Sequence, residues 1–360
     1  MPLPITHVAT TDISDMMSPG PERRMELPGF AAEFVDFPHY IIRITERIWH
    51  DRAVDLCLDW YAPDCVIHTL GGDITGAQTV VDNTLATLKA FPDRRLDADN
   101  VIWSDEGNGT FYSSHLITSK MTNEGDSDFG PATGKKVRVR TIADCVCREN
   151  RIIEEWLVRD NLAIANQLGV DAGHLAARQA ATDQALGNEL ETLHRASHAR
   201  ILEASSAAES LNEAQSVAAA ALETLWCMRD PGRLASLYDY RVSAAYPGAA
   251  GLYGPDQVSD WMAHVLTAFP DARLRIDHVA DIAYLGDARD VAIRWAVAAT
   301  HTGPGRYGPA TGAPVWILGI SHFRIMRGRV REDVCIWDDI ALRRQIEFAR
   351  LRQVHGSCQS

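Results

Sequence analysis

Two short stretches, Ala90-Phe91-Pro92-Asp93 and Gly130-Pro131-Ala132-Thr133-Gly134, decide the fold of this chain because each of them occurs twice. Their second copies, Ala268-Phe269-Pro270-Asp271 and Gly308-Pro309-Ala310-Thr311-Gly312, both lie 178 positions further along. Single residues that keep the same shift are Gly76 and Gly254, Arg151 and Arg329, Glu154 and Glu332, Asp160 and Asp338, and Gln167 and Gln345. A solenoid would repeat about every 20–50 residues. A shift this long instead predicts two copies of one domain, each of which buries its own core.

The composition limits the classes of protein to which the chain can belong. Its 360 residues suit two domains of ordinary size, and 46% hydrophobic residues are enough for two packed cores. The net charge is −13, and the sequence has no basic stripe of the kind that binding to nucleic-acid phosphates or to an anionic membrane surface would require. No apolar run approaches the roughly 18 residues of a membrane span, and the N-terminus has no secretory signal pattern. We therefore expect a cytoplasmic protein with neither nucleic acid nor membrane as a partner.

Cysteines are distributed along the chain without a Cys-x-x-Cys motif. Cys145 and Cys147 are two positions apart, which would place both on one face of a strand. We interpret the cysteines as buried, reduced thiols, with a metal or redox role left open as the alternative. Because a His-Glu-x-x-His motif is also missing from the sequence, we expect no metal and no cofactor. The cysteines are Cys57, Cys65, Cys145, Cys147, Cys227, Cys335 and Cys358.

In the first copy, the spacing of apolar residues predicts helices first and strands afterwards. Helices are expected over 40–50, 53–61 and 76–90, with a short strand over 65–70 between the second and the third. Turn residues separate four longer strands, expected over 96–103, 110–121, 135–147 and 152–158. This order predicts an α+β domain in which a curved, mostly antiparallel sheet wraps over helices.

The repeat and the composition set the expected domain boundaries. Residues 1–35 have no sustained period and are interpreted as an N-terminal arm that packs on a neighbour. The first domain is expected over 36–171, a helical connector over 172–204 and the second domain over 205–353. Strands of the second copy are expected over 242–246, 273–284, 290–300, 314–326 and 330–336.

The motifs of the first copy follow one another in a fixed order. A short helix ends in Ala62-Pro63-Asp64 and is followed by Val66-Ile67-His68; a second helix ends in Ala-Phe-Pro-Asp, and Gly-Pro-Ala-Thr-Gly comes next. The last strand pair closes with Asn150-Arg151-Ile152-Ile153-Glu154-Glu155-Trp156. This layout resembles the SnoaL-like polyketide cyclases, of the superfamily that also contains nuclear transport factor 2 and ketosteroid isomerase. The resemblance covers both copies and implies two tandem cone-shaped domains, each with a pocket between sheet and helices.

The resemblance also implies which positions carry acid/base chemistry without a cofactor. The cyclases use an Asp on the final strand as general base and a His on the strand before it. These positions fall on Leu157 and Ala143 in the first copy and on Cys335 and Ser321 in the second. Both copies therefore depart from the cyclase pattern.

Two histidines of the first copy are candidate catalytic residues. By the repeat shift His68 corresponds to Tyr246, and the resemblance implies that this position lines the pocket. An imidazole there can act as acid or base at neutral pH, whereas the alternative is a histidine that caps the strand. His115 lies mid-strand and corresponds to the apolar Ile293, which fits either a functional face or a buried core histidine.

Two carboxylates complete the candidate catalytic set. Asp144 lies between apolar neighbours, where it is either a base with a shifted pKa or part of an ion pair with Arg138 and Arg140. A bulge or a one-residue shift would turn Asp144, or His322 in the second copy, into the pocket. Asp160 ends the last strand, where it is either catalytic or the N-cap of the helix that follows.

Polar and aromatic side chains on the same elements are candidates for substrate binding. Arg159 is replaced by Trp337 in the second copy, which makes it a candidate anion contact. The second copy also gains Trp261 and Trp316, and its strands are more apolar, so we expect the chemistry in the first copy. The candidate substrate-binding residues are Tyr112, Arg140, Trp156, Arg159, Tyr246, Trp295, His322 and Asp338.

These observations favour a cofactor-free acid/base enzyme of the lyase, isomerase or cyclase type. Its substrate is expected to be a small to medium apolar molecule with carbonyl or hydroxyl groups, bound in the first-domain pocket. One alternative is a non-catalytic ligand-binding or assembly module. Another is an epoxide-hydrolase-like site built from Arg140, Asp144 and Asp160. Besides the small-molecule ligand, we expect association of the domains, as an intramolecular pseudo-dimer or as a homodimer.

Overall fold

Two six-stranded sheets with the same strand order form the framework of the protein. The computed structural model describes residues 20, 22, 25–203, 210–228 and 230–357, with the side chains of the last helix as far as Gln353. The strand orders are β2-β1-β6-β5-β4-β3 and β8-β7-β12-β11-β10-β9. The repeat of one topology in two separate sheets confirms the predicted tandem α+β fold.

In the first copy, helices precede the long strands as the sequence predicts. The helices are α1 (Phe37–Trp49), the short α2 (Cys57–Trp60) after a 3-10 turn (Val54–Leu56), and α3 (Ala77–Ala90). The strands are β1 (Tyr61–Thr69), β2 (Gly72–Thr75), β3 (Arg95–Gly107), β4 (Thr110–Thr122), β5 (Lys136–Arg148) and β6 (Arg151–Arg159). Strand β1 runs parallel to β6, whereas β3, β4, β5 and β6 pair antiparallel in sequence.

The second copy and the connector contain the remaining elements. The connecting helices are α4 (Asn161–Leu168), α5 (Ala172–Ala185) and α6 (Glu189–Glu203). The helices that follow are α7 (Glu213–Glu223), which continues into a π-helical turn (Thr224–Met228), α8 (Pro231–Leu237), α9 (Gly254–Leu266) and α10 (Asp339–Ser357). The strands are β7 (Tyr238–Tyr246), β8 (Ala250–Tyr253), β9 (Arg273–Ala283), β10 (Arg289–Thr300), β11 (Pro314–Met326) and β12 (Arg329–Trp337).

The N-terminal segment contributes to the first core. Leu27, Phe30 and Phe34 are buried in the same cluster as the apolar face of α1, and Phe30 packs edge-on against Phe111 of β4. The segment leads into α1 through Asp36, whose carboxylate accepts a hydrogen bond from His39 N at 2.8 Å and so caps the helix. The described end of the expected arm therefore packs within its own chain. Residues 1–19 of that arm lie outside the described residues.

Contacts between Cα atoms divide the chain into two compact units. The first contains the described residues up to Thr69, together with 73–159 and 280–292; the second contains 70–72, 160–279 and the residues from Ile293 onward. Within the first unit, Ala280 and Ala292 pack with Ile102 and Tyr112. The tip of the β9–β10 hairpin therefore covers Tyr112, on the face of the first sheet that points away from α1. The domain boundaries expected from the sequence remain predictions.

Candidate active site

A cavity of about 170 Å³ lies in the first unit, between helices α1 and α3 and the inner face of the sheet. Apolar side chains such as Ile41, Ile48, Val80 and Leu96 form much of its wall. The polar and charged groups that reach it from the sheet and its flanks are Tyr61, Arg94, His115, Thr141, Glu155 and Arg159. An apolar chamber with a few converging polar groups is the usual form of a small-molecule site.

Strand register arranges the inner face of the first sheet in rows that cross several strands. The first row contains Ser113, Cys145, Glu155 and Ile67, in the order β4, β5, β6, β1. The second row contains His115, Ala143 and Leu157, and the third contains Ile117, Thr141 and Arg159. Successive rows are two residues, or about 6.7 Å, apart along a strand. A carboxylate and a guanidinium thus stand at opposite ends of the cavity, with an imidazole in the row between them.

Glu155 and Tyr61 form the acidic end of the cavity. Glu155 is 5% exposed, and its Oε2 accepts a hydrogen bond from the Tyr61 hydroxyl at 3.0 Å. Burial raises the pKa of Glu155 to about 7, the hydrogen bond from Tyr61 lowers it, and the negative charge of Asp144 raises it. A carboxyl group with a pKa near neutrality can both accept and return a proton under physiological conditions.

His115 lies in the middle row and carries no charge at neutral pH. Its side chain is 3% exposed, and burial lowers its pKa to about 3. Its Nε2 has no hydrogen-bond partner within the described part of the chain. A buried imidazole with one unused nitrogen can exchange a hydrogen bond with a polar atom of a ligand.

Arg94, Arg159 and Thr141 form the basic end of the cavity. Arg94 precedes β3 and its side chain is 4% exposed, with Nη2 3.4 Å from Ser119 Oγ and the guanidinium carbon 4.4 Å from the centre of the Trp49 ring. Burial, followed by the charge of Arg159, holds the pKa of Arg94 well below its usual range. An arginine side chain nevertheless stays protonated in proteins. The cavity therefore contains a buried positive charge beside a second one.

The interior of the second copy is filled by aromatic rings. By the repeat shift, the residues at the positions of the cavity-lining Ile48, Asn83, Ile117 and Arg159 are Trp226, Trp261, Trp295 and Trp337. These four indoles contact one another, with ring centroids between 5.3 and 6.1 Å apart for the contacting pairs. Larger side chains in the second copy thus occupy the volume that is open in the first.

A glycine accommodates one of these indoles. Gly319 stands where the first copy has Thr141, and a Cβ atom at position 319 would lie 2.1 Å from the Trp295 ring. The indole nitrogen of Trp295 donates a hydrogen bond to Ser321 Oγ at 3.0 Å, which fixes the ring in this orientation. The packing is specific to the second copy because position 141 carries a side chain.

The second copy retains a buried carboxylate at the position of Glu155. Asp333 is fully buried, and its Oδ2 accepts hydrogen bonds from Tyr238 and Tyr246, both at 2.8 Å. Burial raises the pKa of Asp333 to about 6, and the two tyrosine hydrogen bonds lower it. The acidic position is therefore common to both copies, but the open cavity beside Glu155 is replaced by indole rings beside Asp333.

The structure changes the expected pairing of His68 with Tyr246. Strand register sets His68 beside Trp156 and Ala245 beside Val334, the counterpart of Trp156. The shift along this strand is therefore 177, so His68 corresponds to Ala245. A slip of one residue exchanges the two faces of a strand. For this reason Tyr246 points into the second domain, whereas Ile67 rather than His68 lines the first cavity.

His68 itself lies on the outer face of β1, away from the residues that line the cavity. Its Nδ1 is 3.1 Å from Asp73 Oδ1 and its Nε2 is 3.0 Å from Glu154 Oε1. Its ring stacks on Trp156, with 5.2 Å between the centroids, so Trp156 also lies on this face. The structure therefore does not bring His68 and His115 together.

Asp144 and Asp160 are also outside the cavity wall. Asp144 is buried on the opposite face of β5, where it accepts a hydrogen bond from Tyr112. The bulge in the β5–β6 pair comes only after Val146, so it does not turn Asp144 inward. Asp160 accepts hydrogen bonds from Ala163 N, at 3.0 Å, and from two backbone amides of the 247–249 turn. The N-cap interpretation of Asp160 is thereby confirmed.

The candidate substrate-binding residues are spread over several environments. Arg159 lines the cavity, whereas Arg140 is on the opposite face of β5. In the second copy His322 is on the outer face of β11, since the neighbouring Ser321 points inward to Trp295. Asp338 accepts hydrogen bonds from Ile340 N and Ala341 N at the start of α10. The Arg140, Asp144 and Asp160 set expected for an epoxide hydrolase therefore does not meet at the cavity.

Glu155, Tyr61 and Arg94 are site residues that sequence reasoning missed. A signal for Glu155 was present, since it lies two residues before Leu157, the position that the resemblance assigns to the general base. Side chains two apart on a strand share a face, and the second copy has an acidic residue, Asp333, at the same position. The orientation of Arg94 follows from the turn between α3 and β3 and has no comparable pattern in the sequence.

Two of the cysteines, Cys57 and Cys145, also line the cavity. Cys57, Cys65, Cys145, Cys147 and Cys335 are buried and unpaired, Cys227 is exposed, and Cys358 lies outside the described residues. The sequence also contains one His-x-x-x-His spacing, which metal sites on helices can use, at His194 and His198 of α6. His194 donates its Nε2 hydrogen to Leu70 O at 2.9 Å. In the described ranges no three His, Cys, Asp or Glu side chains form a group that could hold a metal ion.

The chain belongs to the SnoaL-like polyketide cyclase family. The family profile matches twice, over residues 39–168 and 216–346, which together cover most of the chain. The resemblance predicted from the motifs is therefore confirmed for both copies. No helix among the described residues is both long and apolar enough to cross a membrane.

Solved structures of other proteins align with part of the chain. A candidate SnoaL-like polyketide cyclase from Jannaschia sp. CCS1 is 14% identical, with a TM-score of 0.33, and the match covers 39% of this chain and 98% of that one. IdmH from Streptomyces antibioticus, a candidate polyketide cyclase, is 22% identical, with a TM-score of 0.32 and coverage of 36% and 96%. AclR from Streptomyces galilaeus, a candidate hydroxylase, is 18% identical, with a TM-score of 0.32 and coverage of 36% and 92%. No curated protein matches the sequence.

Proposed function

We propose that the first domain is a cofactor-free acid/base catalyst of the isomerase or cyclase type, in which Glu155 moves a proton of a small carbonyl compound. The observation that carries this proposal is the position of Glu155, a buried carboxylate that faces an apolar cavity with one phenol as its hydrogen-bond partner. A structural carboxylate at such depth is usually paired with a cation or with several donors. Glu155 instead has the cavity on one side.

The proposed reaction starts with removal of a proton from a carbon beside the carbonyl group. The Glu155 carboxylate takes the proton, the C–H electron pair forms the new C=C bond, and the carbonyl oxygen becomes an enolate. Tyr61 holds the carboxylate in place through its hydroxyl. Return of the proton to another carbon completes an isomerisation. Attack of the enolate carbon on a second carbonyl of the same molecule instead forms a C–C bond and an alkoxide, and the alkoxide takes the proton back from Glu155 to complete a ring closure.

His115 is suited to stabilise the enolate in this scheme. It stands one row and two strands away from Glu155, with β5 between them, and its Nε2 has no partner among the described residues. In the tautomer that carries the proton on Nε2, a neutral imidazole donates a hydrogen bond to the oxygen without giving up a proton of its own. Donors held in advance in a water-poor site are worth more to the transition state than the same donors in water.

Hydrogen–deuterium exchange into a small aryl ketone tests the proposal. The intact protein is incubated in D₂O with phenylacetone or phenylpyruvate, and loss of the benzylic C–H signal is followed by ¹H NMR above the uncatalysed rate. Glu155→Gln is expected to reduce the catalysed rate roughly 10²-fold or more, the usual scale for loss of a general base. Glu154→Gln, the adjacent residue on the outer face, is the matched control.

Two results would contradict the proposal. Exchange by Glu155→Gln at the wild-type rate would remove Glu155 from the chemistry. Binding of either ketone without any catalysed exchange by the wild type would favour the ligand-binding module instead.

A further inference from the structure

We infer that the Arg94 end of the cavity is an anion subsite, which binds the carboxylate of a ligand about as large as one aromatic ring. The inference deepens the proposed function, because it names a substrate class for the same cavity, but it does not require Glu155 to act. It rests on the contacts of Arg94, the unused polar atoms near it, the size of the cavity and the comparison between the copies.

Among the described residues, the buried cation Arg94 has no counter-ion. Its contacts within the described residues are Ser119 Oγ, the Trp49 ring and its own backbone amide bond to Phe91 O, and none of the described ion pairs includes it. A guanidinium removed from water is costly unless a negative charge or several acceptors compensate it. One neutral hydroxyl at 3.4 Å and one indole compensate it only in part.

The polar atoms around Arg94 are arranged for an acceptor that the described residues do not supply. Arg94 Nε and the hydroxyl of Thr141 are buried and have no hydrogen-bond partner within the described part of the chain. Both residues line the cavity, as does Arg159. The guanidinium carbon of Arg94 lies 4.4 Å from the centre of the Trp49 ring, and the Nε–H of its planar fork of donors has no acceptor among the described residues. A carboxylate, with two oxygens in one plane, matches that fork.

The size of the cavity limits the rest of the ligand. Drug-sized ligands occupy pockets of about 300–1,000 Å³, whereas an engineered cavity of roughly 150 Å³ holds benzene. At about 170 Å³, this cavity suits a body of similar size. The apolar side chains of Ala143 and Leu157 lie in the row between the two charged ends, so the body should be apolar and the carboxylate terminal.

The second copy shows that the basic end of the cavity is not a general feature of the fold. By the repeat shift, Arg94 is replaced by Ala272, Thr141 by Gly319 and Arg159 by Trp337. All three polar groups of the subsite are thus absent from the domain whose interior is filled. The guanidinium and hydroxyl groups therefore accompany the open cavity, as an anion subsite requires.

Calorimetric titration of the full chain with benzoate and with benzamide tests the subsite, since the two probes have the same size and differ in charge. We expect the wild type to bind benzoate at least tenfold more tightly than benzamide. Arg94→Gln should lose this preference while it keeps its affinity for benzamide, and Arg94→Lys should restore part of it. Arg95→Gln, the exposed neighbour at the start of β3, should behave as the wild type.

Equal affinity of the wild type for the two probes, or no binding of benzoate, would overturn the inference, and neither measurement needs a variant that folds. A preference for benzoate that survives in Arg94→Gln would also overturn it. The outcome is independent of the proposed catalysis. If Glu155→Gln abolishes exchange but benzoate has no advantage, the subsite alone fails; if benzoate is preferred but exchange ignores Glu155, the catalytic role alone fails.

Discussion

Glu155 and Asp333 occupy the same position in the two copies of the domain but have different surroundings. Both are buried acids on the last strand of their copy in sequence, and both accept hydrogen bonds from tyrosine hydroxyls. Glu155 receives one such bond and faces a cavity, whereas Asp333 receives two and faces packed indoles. The number of donors and the presence of open volume therefore separate a reactive carboxylate from a structural one.

Tyr61→Phe should change the protonation of Glu155 in a defined direction. The hydrogen bond from Tyr61 favours the ionised carboxylate and lowers its pKa, which burial has raised to about 7. Without the hydroxyl the pKa should rise further, so a larger fraction of Glu155 is protonated at pH 7. The acidic limb of any rate that needs the carboxylate should move to higher pH by the same amount.

The measurement for this prediction is a ¹³C NMR titration of the glutamate carboxyl groups in the wild type and in Tyr61→Phe, with Glu155→Gln used to assign the signal. Tyr253→Phe, an exposed tyrosine of the second copy, is the control. An unchanged or lower pKa for Glu155 in Tyr61→Phe would show that the hydroxyl does not stabilise the ionised form.

At the residue scale the sequence predicted some site residues and missed others for identifiable reasons. His115 and Arg159 differ in kind from their counterparts Ile293 and Trp337, and both do line the cavity. The family resemblance implied that His68 faces the pocket, and a constant repeat shift paired it with Tyr246, whereas the shift changes by one along β1. A change that small leaves no trace in composition, yet it reverses which side chains face the pocket.

Strands and helices were more accessible to prediction than single side chains. The expected strand over 110–121 is found as β4 (Thr110–Thr122), because a long alternating pattern between turn residues has few other solutions. The segment around Phe30 and Phe34 was predicted as part of an arm, since residues 1–35 show no sustained period of apolar residues. Its aromatic side chains instead pack into the core beside α1.

The close contact between Gly319 of β11 and Trp295 of β10 leads to a prediction about the stability of the second copy. Gly319→Ala would place a methyl group 2.1 Å from the Trp295 ring. Because both residues are in regular strands of a filled interior, neither can move without disturbing its neighbours. We expect a loss of about 1–3 kcal/mol in the free energy of unfolding, the usual cost of overpacking a core.

Gly251→Ala is the matched control for Gly319→Ala, because a Cβ atom at position 251 would meet nothing within 4 Å. Urea denaturation followed by tryptophan fluorescence measures both variants. The double variant Gly319→Ala with Trp295→Ile, which restores the residue type found at position 117 of the first copy, should cost less than the sum of its two changes. Strict additivity would show that the two positions do not compete for the same space.

At the scale of the whole molecule, the repeat gives two domains of one topology whose interiors differ. The first keeps an open cavity with a carboxylate, an imidazole and two guanidinium groups around it. In the second, four indoles fill the equivalent space. The sequence alone predicted the duplication and favoured the first copy for chemistry, because both inferences depend on comparing residue types. It could not predict that the space equivalent to the first cavity is filled in the second copy, since that depends on how the four rings pack.

This division leads to an expectation for the intact chain: one ligand per 360-residue chain, and no effect of Asp333 on binding. Calorimetry with benzoate should give a stoichiometry of one for the wild type and for Asp333→Asn, with equal affinities. Asp333→Asn should instead change the pH dependence of stability. In the wild type burial raises the pKa of Asp333 from 3.8 to about 6 in the folded state, so the folded chain binds more protons than the unfolded chain between these values.

The contribution of Asp333 to the stability of the wild type should therefore fall as pH rises from about 4 to about 6, by about 3 kcal/mol at 1.36 kcal/mol per pKa unit. Asparagine does not titrate, so Asp333→Asn should lose this part of the slope while it keeps two tyrosine donors on a neutral amide oxygen. Urea unfolding at pH 4, 5, 6 and 7 measures the difference. Two benzoate molecules per chain, or weaker binding in Asp333→Asn, would show that the second domain also holds a ligand. An identical slope in the two proteins would show that Asp333 does not titrate as its burial requires.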